Sequence, residues 1–303
     1  MQMSATLALQ VLVMFMLAGV GYLMFRGGKI TLEGNRTIGN ILIYLSLPAV
    51  IIKGFMVERT AQSMAELGIS AALGVGTLLL AGLIARLLLG RDAIATFAAT
   101  FSNPSFFGIP LVTSVLDPSA VFYETGLIAA MNIGQWTYGV GLLTGEKPKL
   151  NAGDLLRTPF VVATLVGLAL FFTQLQLPGI VTECLDFVAG LNTPLAMFGI
   201  GVYLAHVDFR QMVRNTALLR VCAVRLLVIP LAVLLLLAPL PASMNSLRLA
   251  LLIAQACPVG SNVAVYAQLH NADYAYGVQT VVASVLLSVV TIPAVVALAQ
   301  LVW

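Results

Sequence analysis

The chain has 303 residues, 60% of them hydrophobic and 9% charged, with a formal net charge of +3. A soluble domain carries roughly 25% charged residues, so a water-soluble fold is excluded and the lipid bilayer is the first partner implied. The small positive balance reads as membrane topology, and no nucleic-acid partner is indicated.

The N-terminal stretch MQMSATLALQ lacks the basic segment of a secretory signal, and the first charge, Arg26, follows the apolar run instead of preceding it. The first span, at about 5–25, is therefore expected to be retained with its N-terminus outside. Runs of about the length that crosses a ~30 Å hydrocarbon core follow at about 37–56, 66–89, 93–116 and 121–144. The longest connection, GEKPKLNAGDLLRTP at 145–159, comes next, almost at the midpoint. Five more runs lie at about 159–176, 180–204, 216–238, 246–269 and 274–302. The pattern predicts an all-α membrane protein of ten transmembrane helices, multi-pass in a plasma membrane (the bacterial inner membrane), with both termini outside. The connections on the predicted cytoplasmic side hold eleven cations: Arg26, Lys29, Arg36, Arg86, Arg91, Lys147, Lys149, Arg157, Arg210, Arg214 and Arg220. The other side holds Lys53, Arg59 and Arg248, and Arg225 lies within span eight. That asymmetry follows the positive-inside rule.

Five spans on each side of the central connection make two halves, 1–150 and 151–303, and because five is odd the halves are inverted relative to each other. Pro48 in span two and Pro194 in span seven are 146 residues apart, and Pro104 in span four and Pro258 in span nine are 154 apart. Coincident interruptions in corresponding spans point to an inverted-repeat transporter and to its binding site. Each proline is otherwise an ordinary helix kink, a reading with most force for Pro48 and Pro194. In spans four and nine, FSNPSFFGIP and CPVGSNVAV combine Pro, Gly and Asn within a few residues at mid-depth.

Pro104 removes one N–H and displaces a carbonyl, so the break must line a cavity or pack on protein. The helix is expected to restart near Ser105 to Gly108, and its counterpart near Ser261 or Asn262. Two half-helix N-termini meeting in the membrane favour an anion without a fixed cation, and the side-chain amides of Asn103 and Asn262 add donors. The acidic residues all fall in connections or within about two turns of a span end, which argues against a cation exchanger, since those keep a carboxylate at mid-depth. Cys184, Cys222 and Cys257 show no metal or disulfide spacing. Neither a metal nor any other cofactor is expected. No Ser/His, Asp/Asp or HExxH constellation suits an enzyme, and no catalytic residue is assigned.

Asn103 followed by FFGIPL, PVGSNVAVYA at 258–267, SVLLSVVTIP at 284–293 and TPLAMFGIGVYLA at 193–205 together resemble the auxin efflux carrier family, which includes plant auxin exporters and bacterial malonate and malate carriers. The resemblance implies two inverted five-helix repeats with crossed broken helices 4 and 9, the architecture shared with bile-acid carriers. It implies a scaffold of spans 1, 2, 6 and 7 that is able to form a homodimer and a transport domain of spans 3–5 and 8–10. It makes Asn103 and Asn262 substrate ligands and turns Asn132 of span five to the same site. Plant members place Pro before the span-four Asn, whereas here Pro104 follows Asn103, which shifts the expected crossing point by about one residue.

The candidate substrate-binding set is therefore Asn103, Pro104, Ser105, Gly108, Asn132, Pro258, Ser261 and Asn262, with Gln135 and Ser46 added as polar groups at depth. Asn132 and Gln135 are alternatively interhelical hydrogen-bonders, and Ser46 alternatively bonds back to its own helix. Arg225 either attracts a second substrate carboxylate or pairs with carbonyls inside the transport domain. The expected function is secondary or facilitative transport of a small organic anion by alternating access. The alternatives are a sodium-coupled symporter using Gln255, Ser261 and Gln268, and a membrane sensor that binds without translocating.

Overall fold

The computed structural model describes residues 2–146, 153 and 157–303. Lys147, Lys149 and most of the central connection lie outside the described residues. Apart from one isolated antiparallel bridge, the described secondary structure is helical.

In chain order the helices are α1 Gln2–Arg26, α2 Leu32–Gly54, α3 Ala61–Leu89, α4 Ala93–Thr100, α5 Pro104–Val115 and α6 at 121–144. They continue as α7 Pro159–Thr173, α8 Gly179–Leu204, α9 Phe209–Arg214, α10 Thr216–Leu237, α11 Asn245–Ala256, α12 Asn262–Leu269 and α13 Tyr274–Val302. Six of these, α1, α2, α3, α8, α10 and α13, are long and apolar enough to cross a membrane, so the protein is a multi-pass membrane protein. The predicted spans at 93–116 and 246–269 are each two short helices around a break, and the one at 159–176 is the shorter apolar α7. Several polar residues just before helices work as caps. Asp92 Oδ1 accepts from Ala95 N at 3.0 Å, Asn215 Oδ1 from Leu218 N at 3.2 Å and Asp273 Oδ1 from Tyr276 N at 2.9 Å. Each satisfies an N–H that the first helical turn leaves unpaired.

Four five-residue π-turns interrupt the α-helical ladder, at Leu42–Ser46, Pro104–Gly108, Gln135–Gly139 and Val224–Val228. Three of them end two residues before a proline: Pro48, Pro110 and Pro230. Proline lacks its N–H and its ring collides with the carbonyl one turn earlier. Widening that turn relieves the collision, and such widened turns are frequent at functional sites.

The two helices that precede the breaks form the buried centre. Every residue of α4 from Ile94 to Thr100 and of α11 from Leu247 to Ala256 is buried, while α1 and α8 turn Leu9, Met16, Leu23, Ile180 and Phe187 outward. Association of helices in lipid depends on close packing, and glycine supplies it where α1 meets α8. A Cβ added at Gly201 would lie 2.2 Å from the Ala18 carbonyl oxygen, and one at Gly21 would lie 2.5 Å from that of Phe198. Gly201→Ala is therefore expected to push the two helices apart at a cost of about 1–3 kcal/mol. This would be read as a lowered melting temperature of the detergent-purified protein, and unchanged melting would contradict the packing.

Candidate functional site

The two breaks meet. Residues 101–103 and 257–260 run extended and antiparallel, with a bridge between Ser102 and Val259. Asn103 N donates to the Pro258 carbonyl at 3.0 Å and Gly260 N to that of Phe101 at 3.0 Å. Side chains complete the pairing. Ser102 Oγ donates to the Ala254 carbonyl at 2.8 Å, and Ser284 Oγ of α13 accepts from Val259 N at 2.9 Å. An unpaired backbone group in hydrocarbon costs several kcal/mol, so each break is tolerable because the other answers it. Gly260 is required for this approach, since a Cβ there would lie 2.9 Å from the Ser102 carbonyl oxygen.

The local sequence explains how α5 restarts. Asn103 is the N-cap, its Oδ1 accepting from Phe106 N at 3.4 Å, and its carbonyl accepts from Phe107 N and Gly108 N at 3.1 and 3.2 Å. Pro104 takes the first helical position, where the missing N–H has no partner to lose. The helix thus begins one residue before the predicted Ser105–Gly108 window. The Asn-Pro order is an efficient start signal, and α12 begins at Asn262, as expected.

Four half-helix ends surround the crossing, and their charges are separated. The C-terminal ends of α4 and α11 carry partial negative charge, and the guanidinium of Arg225, fully buried on the π-turn of α10, covers both. Arg225 Nη1 donates to the carbonyls of Ala99 at 2.9 Å and Thr100 at 3.3 Å, while Nη2 donates to the Gln255 carbonyl and, at 3.2 Å, to Gln255 Oε1. Gln255 Nε2 in turn donates to Thr77 Oγ1 at 3.2 Å. Of the two roles open to Arg225, pairing with carbonyls is the one found. The N-terminal ends of α5 and α12 remain to face a ligand.

They face a cavity of about 730 Å³ bounded by α2, α7, α5, α6 and α12. Asn103, Pro104, Ser105, Asn132, Gln135, Ser261 and Asn262 line it, with Trp136 and Tyr266 as an aromatic wall whose rings meet edge-on at 5.7 Å. A smaller pocket between α2 and α8 shares Asn103, Ser261 and Asn262. Asn262 Nδ2 donates to Gln135 Oε1 at 2.8 Å and Asn132 Nδ2 to its own helix at the Ile128 carbonyl, 2.9 Å away. Asn103 Nδ2 is buried and has no hydrogen-bond partner among the described residues. Arg157 also lines the cavity, and no carboxylate does among the described lining residues.

Three candidates are placed elsewhere. Ser46 is fully buried and donates to the Val188 carbonyl of α8 at 3.0 Å, tying α2 to α8. Pro258 lends its carbonyl to the bridge. Gly108 is packed so that an added Cβ would lie 3.3 Å from both Cys257 Sγ and Glu124 Oε1. That last contact corrects the expectation that no acidic side chain reaches the centre. Glu124 is only one turn into α6, but α5 is short and the chain reverses within 116–120, so Glu124 folds back beside the break, fully buried. Sequence reading also missed Asn192, two residues before Pro194. It is buried, and its Nδ2 donates to the Ser105 carbonyl at 2.8 Å, joining α8 to the break. The signal available was an amide at mid-span beside a proline.

Two comparisons bear on this site. The family model described as "Membrane transport protein" matches residues 6–154 and 148–296. A protein of Rhizobium meliloti (strain 1021) named "Putative malonate transporter" is 26% identical over 212 residues. Those residues are 64% of this chain and 66% of that protein, just under two thirds of its length.

Proposed function

The chain belongs to the auxin efflux carrier family of membrane transport proteins, and from that premise we infer that it is a secondary carrier moving a small organic carboxylate by alternating access. The observation that carries this is the unpartnered, buried Asn103 amide on a cavity that also receives two half-helix N-termini and holds no carboxylate among its described lining residues. Donors of that kind hold an anion, and Arg157 at the same cavity suits a second carboxylate such as the distal one of malonate. The two family matches divide the chain near residue 150, which supports two inverted repeats. On this reading α1, α2, α7 and α8 form the scaffold, through which a homodimer assembles, and α3–α6 with α10–α13 form the moving body. Both pockets lie on the seam between the two. Arg157 and Leu269 belong to the predicted cytoplasmic side, so the larger cavity opens inward.

A sodium-coupled symporter would use Gln255, but its carbonyl and side chain are already engaged by Arg225 and Thr77. The test is counterflow of labelled malonate, malate and indole-3-acetate in proteoliposomes, with and without a sodium gradient. Malonate exchange indifferent to sodium is expected. Exchange of none of the three would overturn the carrier reading in favour of a non-translocating sensor, and sodium-stimulated uptake would select the symporter.

A further inference from the structure

Glu124 is fully buried, and neither of its carboxyl oxygens has a hydrogen-bond partner among the described residues. An ionised carboxylate in such a place is costly unless it is paired or neutralised. Its surroundings are those of the crossing itself. Gly108 on the first turns of α5 and Cys257 in the second break hem it in, with the Ala254 backbone of α11 behind them. The absence of a Cβ at Gly108 is what gives Glu124 Oε1 room against α5.

Cys257 and Arg225 are the titratable groups that act near Glu124, while Glu66 and Lys53 lie on elements packed against α6 and are otherwise engaged. Cys257 lies beside it, with its Sγ donating to the Ile253 carbonyl at 3.2 Å, and Arg225 lies beyond Cys257, committed to the carbonyls of α4 and α11. On α3, Glu66 accepts from Tyr123 Oη at 2.8 Å and is occupied by that bond. Lys53 of α2 is paired with Asp186. No cation among the described residues reaches Glu124 to balance its charge.

We propose that Glu124 is the coupling site of this carrier: it holds one proton that crosses the membrane together with the substrate anion. The proposal rests on the carrier reading above and adds the coupling ion. The physical link is the first turn of α5. The half-helix whose N-terminus receives the anion is the one Glu124 abuts, so a bare carboxylate at Glu124 opposes the bound anion by like-charge repulsion, and a proton there removes the opposition. Binding of the anion and of the proton therefore reinforce each other, by the same factor in each direction. Glu124 and both breaks sit on the elements assigned to the moving body, so the pair travels as a unit. One proton is taken up with the anion on one face and released with it on the other. No bond other than that O–H bond is made or broken.

Proteoliposomes containing wild type or Glu124→Gln separate the outcomes. At equal pH on both sides, malonate counterflow is expected in both proteins. With the external pH held constant, so that the speciation of malonate outside does not change, and the interior made one unit more alkaline, wild type is expected to accumulate labelled malonate several-fold. Glu124→Gln is expected to show no such accumulation. Equal accumulation in the variant, or a wild type insensitive to the gradient, overturns the proposal while leaving the carrier reading intact. Absence of counterflow from both proteins would count against the carrier reading itself. Infrared titration of the wild type then decides the proton site without substrate. A protonated-carboxyl band that disappears on alkalinisation supports it, and the absence of such a band, or one that does not titrate, overturns it. If the Gln variant fails to fold, the wild-type gradient and infrared measurements carry the test alone.

Discussion

Asn103→Asp is expected to abolish malonate counterflow while keeping the helix cap at the start of α5. Asp caps a helix about as well as Asn, so the bond from Phe106 N and the start of α5 are kept. What changes is the free end of the side chain. The buried Nδ2 donor becomes a carboxylate oxygen, and an anion entering the cavity meets repulsion in place of a hydrogen bond. A hydrogen bond to a charged group is worth about 1.5–3 kcal/mol, so losing the donor alone weakens binding about 10- to 150-fold, and the added charge weakens it further. Asn103→Ala should show the donor loss plus about 1 kcal/mol of lost capping. The two variants therefore separate the ligand role from the structural one. Transport by Asn103→Asp at the wild-type rate would remove Asn103 from the site.

Arg225→Met should be the most destabilising single replacement at the crossing. Methionine fills much of the same space but leaves the carbonyls of Ala99, Thr100 and Gln255 without their donor, and each buried acceptor so abandoned costs about 1–3 kcal/mol. Partial relaxation keeps the total on the order of 3 kcal/mol, enough to lower the melting temperature by several degrees or more. The effect on ligand should have the same sign, because the negative ends of α4 and α11 would no longer be covered and the crossing would attract an anion less. Arg225→Lys keeps the charge but not the planar fork that serves two helix ends at once, and should fall between. A variant Arg225→Met that melts with the wild type would show that these carbonyls find other donors.

The features legible in the sequence were those carried by local chemistry. The apolar runs announced a multi-pass helical protein, and Asn103-Pro104 and Pro258 announced the two breaks, because a cap, a proline and a glycine act within a few residues of themselves. Two of the ten expected spans are divided in the structure, since α4, α5, α11 and α12 are each too short to be a membrane helix alone. Contacts made across the fold were not legible. Glu124 looked like a span-end acid because its depth depends on how sharply the chain reverses after α5. Asn192 is passed over by sequence because its partner, the Ser105 carbonyl, belongs to the other half of the chain. Ser46 reads as a polar group at depth and so as a site candidate, but it lies on a π-turn and its hydroxyl donates across to the Val188 carbonyl of α8.

The bridge between Ser102 and Val259 has a consequence for motion. Two breaks hydrogen-bonded to each other form a single rigid knot, so the donors they present keep their spacing whichever way the cavity opens. On the carrier reading proposed above, a ligand held there would be carried rather than handed over: the site would stay assembled, and the work of exposing it to one side or the other would fall on α2 and α8, where Asn192 is hydrogen-bonded to the break.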